Sequence, residues 1–432
     1  MRQTSLNLLR NLIFPLGARV AIGAFCASCV TPAVAPAPLR VGTSGDYSPF
    51  SVARGPAEFD GFEAVAARAY AAELGVELEW VRFRWPELAA DLASGRFDVA
   101  MSGVTVRADR SLAAPFTRPV ALSSAVAVVA DPTRFPDLEA LNAEAVTIAV
   151  NAGGHLEKAT RVRFPRAQIA AIADNRVPAQ LAHGTADALV TDTLEAPSWL
   201  RDRPGWVALA PFTIDRKAWW VHPERPELLR DLDRFAGDRA ADGSLTRWRA
   251  EHLGAEAAAQ PTAEPLPALL WTLRERLELM PLVAEAKRRT NSPIEVPDRE
   301  ERVLQAAWDA TRRAATDAGR KAPPKAAVLD LFRAQIEAAK AIQHATLARP
   351  PMLGNPPDLD RELRPALLRL GARIAGLIVE FEATETAATQ EGELELLVNR
   401  CLGLLGLDPA QLRDVTAAIA ALQPEGLEPE KN

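Results

Sequence analysis

Residues 255–267 read AEAAAQPTAEPLP, and the chain differs in character on the two sides of them. The stretch is small, polar and interrupted by proline, with few side chains able to hold a core, so 255–265 reads as a linker. Before it, short apolar runs at 39–41, 76–81, 99–101, 125–129 and 147–150 alternate with alanine-rich stretches of helical period. That alternation predicts an α/β layer fold over 37–254. After it the strand signals vanish, and 266–290, 298–319, 325–346, 359–389 and 392–405 repeat their apolar residues with the 3.6-residue period of helices. Pro293, Pro297, Pro323, Pro324, Pro350, Pro351, Pro356 and Pro357 fall at the breaks, where helices stop or start. The expectation is a multidomain chain with an α/β domain followed by an all-α domain over 266–425.

With 432 residues, 48% of them hydrophobic and 25% charged, the chain is long enough for two or three domains and is neither disordered nor fibrous. Fifty basic against fifty-six acidic side chains leave a net charge of −6, which gives no global positive field for nucleic acid and points to small-molecule partners. Cys26, Cys29 and Cys401 are too few for a disulfide scaffold or a four-cysteine zinc site, and five scattered histidines add no metal signal. No metal or organic cofactor is expected.

Residues 1–19 carry Arg2, Arg10 and Arg19 and no acidic residue, and 20–30 follow as the apolar run VAIGAFCASCV. This resembles a signal peptide over 1–35, since the run is of signal length and far shorter than the about 20 residues of a membrane span. Ala33-Val34-Ala35 has the small residues of a cleavage site, although Pro36 follows it. Ala27-Ser28-Cys29 offers a lipoprotein site as the alternative. Export to the periplasm with no retained span is expected, leaving Cys401 as the mature chain's one thiol after cleavage beyond Cys29.

In the first domain, Gly45-Asp46-Tyr47-Ser48-Pro49-Phe50 follows a strand and residues 97–105 run on to Arg110. Asn151-Ala152-Gly153-Gly154 then opens a helix, and Thr191-Asp192 lies further on. Arg110 past a strand end can clamp a carboxylate, and Gly153-Gly154 lets backbone N–H groups approach an anion. Taken singly, Arg110 reads equally as a surface ion pair and the glycines as a turn. In this order they resemble the periplasmic solute-binding proteins for polar amino acids. The stretches TSGDYSPF, RFDVAMSGVTV, VNAGG, VTDTLEA and RKAW are further similar to the cyclohexadienyl dehydratases. These are exported enzymes on a solute-binding fold that convert prephenate to phenylpyruvate and arogenate to phenylalanine. The resemblance implies Glu195 as the catalytic acid, a pocket of Tyr47, Trp85, Thr105, Arg110, Asn151, Gly154 and Asp192, and Lys217 nearby. His155 departs from the family pattern. An acid suits the chemistry, because ring hydroxide is a poor leaving group until protonated. The competing reading of Glu195 is a solvated residue on a helix's first turn.

In the second domain Lys287 lies eleven residues beyond Arg276, three turns along one helix and nearly on the same face. Arg299-Glu300 opens the next helix, and a third carries Ala339 and Gln343 one turn apart. This pattern resembles the all-helical chorismate mutases, in particular their exported subclass, in which one chain supplies a complete site. The resemblance implies Arg276, Lys287, Arg299 and Gln343 as catalytic residues, with Glu300 and Arg364 beside the substrate, and a homodimer through the bundle. Ala339 and Val296 depart from the pattern. A pericyclic rearrangement of a dicarboxylate needs positioning and electrostatics and no nucleophile, metal or general base. Gln343 donates at any ordinary pH, which predicts activity without acid conditions. The competing reading of the cations is the solvated faces of amphipathic helices. Cys401 reads as a core thiol.

The product of one resemblance is the substrate of the other. Together they imply an exported bifunctional enzyme taking chorismate to prephenate in its C-terminal half and prephenate, or arogenate, onward in its N-terminal half. The rivals are an amino-acid receptor fused to a helical mutase or partner-binding domain, and a mutase carrying an inactive dehydratase domain as a prephenate sensor.

Overall fold

The computed structural model describes residues 37–352, 354–383 and 391–422. The leader expected over 1–35, with Cys26 and Cys29, and the chain after 422 lie outside the described residues.

The first lobe opens with β1 (Leu39–Thr43), followed by β2 (Asp46–Tyr47), β3 (Ser51–Ala53) and β4 (Phe59–Asp60), which form a small sheet of their own. Then come α1 (Phe62–Leu74), β5 (Leu78–Arg82), α2 (Leu88–Ala93), β6 (Val99–Ala100) and α3 (Ala108–Ala113). β1 runs parallel to both β5 and β6, and its Val41 is fully buried with Phe50, Phe62 and Val99 in one core.

The chain leaves this lobe on β7 (Ala121–Ser123) and builds a second from β8 (Ala125–Val129), β9 (Thr147–Asn151), α4 (His155–Arg163), β10 (Gln168–Ile172), α5 (Val177–Ala182), β11 (Ala188–Asp192), α6 (Ala196–Leu200) and β12 (Val207–Ala208). The strand order is β10-β9-β11-β8-β12. β8 reads AVAVV and is buried at every position, the pattern of a strand covered on both faces. Return is on β13 (Asp215–Lys217), antiparallel to β7, and β14 (Trp220–Val221) rejoins the first sheet beside β6. The adjacent strands β7 and β13 therefore form the hinge, and the cleft lies between the lobes. The helices α7 (Pro226–Ala241), α8 (Ser244–His252) and α9 (Ala255–Ala258) complete the α/β domain.

The linker expectation for 255–265 needs correction, because these residues include α9 and are packed. Thr262 and Ala263 are fully buried. Arg249 donates to the carbonyls of Val120 at 2.7 Å and Gln260 at 2.9 Å, and Arg118 Nη1 donates to that of Ala263 at 3.0 Å. A polar segment offers carbonyl acceptors, and the nearby Arg249 and the distant Arg118 use them.

The second domain consists of α10 (Pro265–Glu278), α11 (Met280–Thr290), α12 (Pro297–Asp317), α13 (Lys325–Leu347), α14 (Arg364–Ala383), α15 (Glu391–Leu402) and α16 (Pro409–Ala420). Its core gathers Leu269, Leu273, Leu331, Ile374, Val398 and Cys401, all fully buried. The single helix expected over 266–290 is two helices meeting at Leu279. Pro281 near the start of α11 has no N–H to continue the ladder, so the chain can turn there. The helix expected from 359 begins with a wide turn over Leu359–Leu363, capped by the Asp358 carboxylate, before α14. α16 was not expected from the apolar pattern, although Asp408 and Gln411 form a capping box at its start. Among the described residues, no helix is long and apolar enough to cross a membrane.

Candidate active sites

β11 delivers Thr191 and Asp192 to the cleft, and the turn beyond it tucks Glu195 beneath the surface. Asp192 Oδ1 accepts the backbone N–H groups of Leu194 at 2.9 Å and Glu195 at 3.0 Å, which tightens the turn. The Glu195 carboxyl accepts from Thr191 Oγ1 at 2.6 Å and from Asn175 Nδ2 at 2.7 Å. It is 2% exposed, so the reading of a solvated first-turn residue fails. Burial, with the neighbouring Asp192 charge, pushes its pKa up to about 8, which favours the protonated carboxyl.

Cations face this acid. Lys217 on β13 donates to Tyr47 Oη and Thr105 Oγ1, both at 2.9 Å, and lies 3.5 Å from Asp192 Oδ2. Arg110 on α3 is buried, donates to the Thr105 carbonyl at 3.0 Å and lies over the Trp220 ring. Tyr47 belongs to the first lobe and Asp192 to the second, and their hydrogen bond crosses the cleft. At another point Gly153, with φ of 75°, comes so close to Pro86 that a Cβ there would sit 2.9 Å from its ring. The lobes are thus closed on each other. The pocket that holds Glu195, about 40 Å³, is lined by Tyr47, Trp85, Thr105, Arg110, Asn151, Gly154, Glu195 and Lys217, and a larger cavity of about 500 Å³ adjoins it between the lobes at Trp85 and Asn151. Asp192 lies behind that wall, fully buried, and acts through Tyr47, Lys217 and the turn.

Sequence reasoning missed Asn175, Glu63 and the Asp215 partner of His155 here. Asn175 sits at φ of 51°, a conformation asparagine tolerates, and also donates to the Asp46 carbonyl of the other lobe at 3.0 Å. His155 lines the cavity and bonds Asp215 Oδ1 through Nε2 at 2.8 Å. The buried Glu63 accepts from Trp219 Nε1 at 2.7 Å and from the Gly103 N–H at 3.1 Å, fixing the cavity wall at Gly103. The positive-φ asparagine is silent in sequence, and the other two depend on partners from remote segments.

The helical domain holds a separate cavity of about 690 Å³. Arg276 from α10, Lys287 from α11, Arg299 and Glu300 from α12, Gln343 from α13 and Arg364 from α14 all line it. Lys340, not foreseen, joins them and pairs with Glu300 at 3.2 Å. Arg276 Nε and Nη1 are buried with no hydrogen-bond partner among the described residues, as is Gln343 Oε1. Burial strips Arg276 of solvent and lowers its pKa to about 10. Burial and the charges of Arg299 and Arg364 lower that of Lys287. Crowded cations with unspent donors suit a dianionic ligand. Gln343 Nε2 donates to the Ala339 carbonyl at 3.1 Å, a bond a ligand acceptor could replace. Among the described residues, no group of three or more His, Cys, Asp or Glu side chains could hold a metal ion. Cys401 is free and buried, and its thiol is pushed up to about 12, so it is chemically quiet.

A two-lobed α/β cleft followed by a cation-lined helical bundle defines the class. The chain belongs to the bacterial extracellular solute-binding proteins, family 3, matched over residues 39–255. A chorismate mutase type II domain follows over residues 268–344. Cyclohexadienyl dehydratase of Pseudomonas aeruginosa is 34% identical over 220 residues, 50% of this chain and 81% of that protein. The L-cystine-binding protein TcyJ of Escherichia coli is 25% identical over 221 residues, 50% of this chain and 83% of that protein. A solved ancestral amino acid-binding protein, described as a precursor of cyclohexadienyl dehydratase, is 29% identical, covering 50% of this chain and 95% of that one with a TM-score of 0.47.

Proposed function

We propose that this chain converts chorismate to prephenate in its helical domain and prephenate to phenylpyruvate in its α/β domain. The observation that carries the reading is the pairing, in one chain, of a buried Glu195 carboxyl beside Lys217 and Arg110 with a separate cation pocket around Arg276. In the helical pocket Arg276, Arg299 and Arg364 hold the two carboxylates of chorismate in the reactive conformer. As the ether C–O bond breaks and the new C–C bond forms, Lys287 and the Gln343 amide donate to the ether oxygen, where negative charge develops. Nothing is added or lost, so no general acid or base takes part.

In the cleft Arg110 and Lys217 hold the prephenate carboxylates. The Glu195 carboxyl donates its proton to the ring hydroxyl, which leaves as water. The electron pair of the breaking C–CO2 bond moves into the ring, which becomes aromatic as CO2 departs. The balance is prephenate dianion plus one proton giving phenylpyruvate, CO2 and water, and Glu195 regains its proton from solvent. Arogenate, with an amino group in place of the keto group, is a second candidate for the same acid. The same reading has the chain exported to the periplasm on a leader within 1–35.

Incubation of the purified chain with chorismate tests this. Phenylpyruvate should form. Glu195→Gln should stall at prephenate, and Arg276→Ala should leave chorismate intact while still converting added prephenate. A wild-type chain that turns over neither compound, or that retains a tight unreacted amino acid, would overturn the reading.

A further inference from the structure

Helix α10 serves both domains. Trp271, Glu275 and Glu278 follow one another at spacings of four and three, one face of a helix, and this face is bonded to the α/β domain. Arg276, about 100° further round, points into the helical pocket. Each bond from the shared face reaches a residue next to a cation of the cleft. Glu275 Oε1 accepts from Ser111 Oγ at 2.7 Å, and Ser111 follows Arg110 on α3. Arg216 pairs with Glu278 and donates from Nη1 to the Trp271 carbonyl at 3.1 Å, and it precedes Lys217 on β13. Strand alternation sends Arg216 toward α10 and Lys217 toward the cleft. Helix α14 adds to the grip, since Arg369 Nη2 donates to the Ser111 carbonyl at 3.1 Å and Arg373 Nη1 lies 4.0 Å from Glu275 Oε2.

Glu275, 5% exposed, takes no part in the chemistry assigned to either site. A buried carboxylate is tolerated only while its partners stay in place. α3 has six residues and no side-chain cap, so its orientation depends on such contacts. We propose that Glu275 is a positioning residue shared by the two active sites. Through Ser111 it fixes Arg110 in the cleft, and through its own peptide link it fixes Arg276 in the helical pocket, so that each site feels the other's occupancy. Linkage makes the effect on binding reciprocal. The proposal rests on the bifunctional reading above.

The test uses the full chain with Ser111→Ala, Glu275→Leu and the double variant. Glu380→Gln serves as a control: it removes the 3.0 Å ion pair with Arg118, which joins the same two domains but involves no residue of either site. KM and kcat are measured separately with chorismate and with prephenate, beside the thermal midpoint. Ser111→Ala should raise the KM for prephenate roughly 5-fold or more, with kcat changing much less. It should also raise the KM for chorismate, although Ser111 lies outside the mutase domain. The double variant should be no worse than Glu275→Leu alone, as expected when both changes remove one bond. Should Glu275→Leu not fold, Ser111→Ala, which deletes a single hydroxyl, decides alone. Both KM values staying within about twofold of wild type, with only the thermal midpoint lowered as in the control, would overturn the proposal. A wild type inactive on both substrates sinks the functional reading instead, and the proposal with it.

Discussion

Asn175 Nδ2 donates to Glu195 Oε1 at 2.7 Å and to the Asp46 carbonyl at 3.0 Å, so the amide that steadies the acid also bridges the two lobes. Its donation favours the ionised form of Glu195. Asn175→Ala should therefore shift the alkaline limb of dehydratase activity to higher pH. Loss of orientation should at the same time lower kcat by roughly 10-fold. A pH–rate profile of the variant on prephenate checks both, and an unshifted limb would contradict the assignment.

Glu195 must be protonated to act, and its pKa is held up to about 8. Dehydratase activity should fall as pH rises through that value, and Glu195→Gln should lose roughly 10²–10⁴-fold in kcat. Stability follows the same sign. A carboxyl whose folded pKa lies above the ordinary 4.5 stabilises the fold fully below 4.5 and loses that contribution as pH rises through about 8. Glu63, raised to about 7 by burial, adds to the trend. Thermal melts between about pH 5 and 9 should show a shallower decline for Glu195→Gln than for wild type.

The mutase should behave differently, because Gln343 has no proton to lose. Its activity should hold through neutral pH and decline only on the alkaline side as Lys287, lowered by burial and its cationic neighbours, deprotonates. Gln343→Glu should introduce a new loss above about pH 6. Chorismate kinetics of the two chains over the same buffers make the comparison. A wild-type profile already falling there would refute the role of Gln343.

Arg276 holds its Nε and Nη1 buried with no hydrogen-bond partner among the described residues, a poor arrangement for stability and a good one for a carboxylate ligand. Arg276→Leu should abolish mutase activity, by roughly 10²-fold or more in kcat/KM, while raising stability by about 1 kcal/mol or more. Denaturant unfolding beside chorismate kinetics reads both. A destabilised variant would mean that the guanidinium has structural work the geometry does not reveal.

The pocket at Glu195 holds only about 40 Å³, whereas small-molecule pockets run to roughly 300 Å³ or more, so the walls around the acid must part to admit substrate from the adjoining cavity of about 500 Å³ between the lobes. The Tyr47–Asp192 bond is one latch. Tyr47→Phe should shift the substrate-free chain toward the open form, visible as a larger radius of gyration in small-angle scattering, and should raise the KM for prephenate. Unchanged scattering with unchanged KM would show that Tyr47 is no latch.

Much of this site could be read from the sequence. Arg276, Lys287, Arg299, Gln343 and Arg364 were singled out through the resemblance to the helical mutases, and the structure gathers them around one cavity; helical spacing alone left the cations equally readable as solvated faces. Glu195 was likewise singled out through the resemblance to the dehydratases, since the local pattern alone reads it as a solvated first-turn residue. Asn175, the His155–Asp215 pair and Glu63 were not legible, because each matters through a partner at least 20 residues away. The helix joint at Leu279 was hidden by an apolar period that runs unbroken through Pro281.

The sequence by itself determined the two kinds of domain, many of the strands and helices within them and the chemical groups each could offer, since backbone preference and hydrophobic period act over a few residues. Only the tertiary structure decided that burial raises the Glu195 pKa, that Arg276 Nε and Nη1 have no hydrogen-bond partner among the described residues, and that Glu275 and Arg216 tie the domains together beside both sites. Those outcomes follow from desolvation and from hydrogen-bond geometry, which depend on atoms contributed by distant parts of the chain.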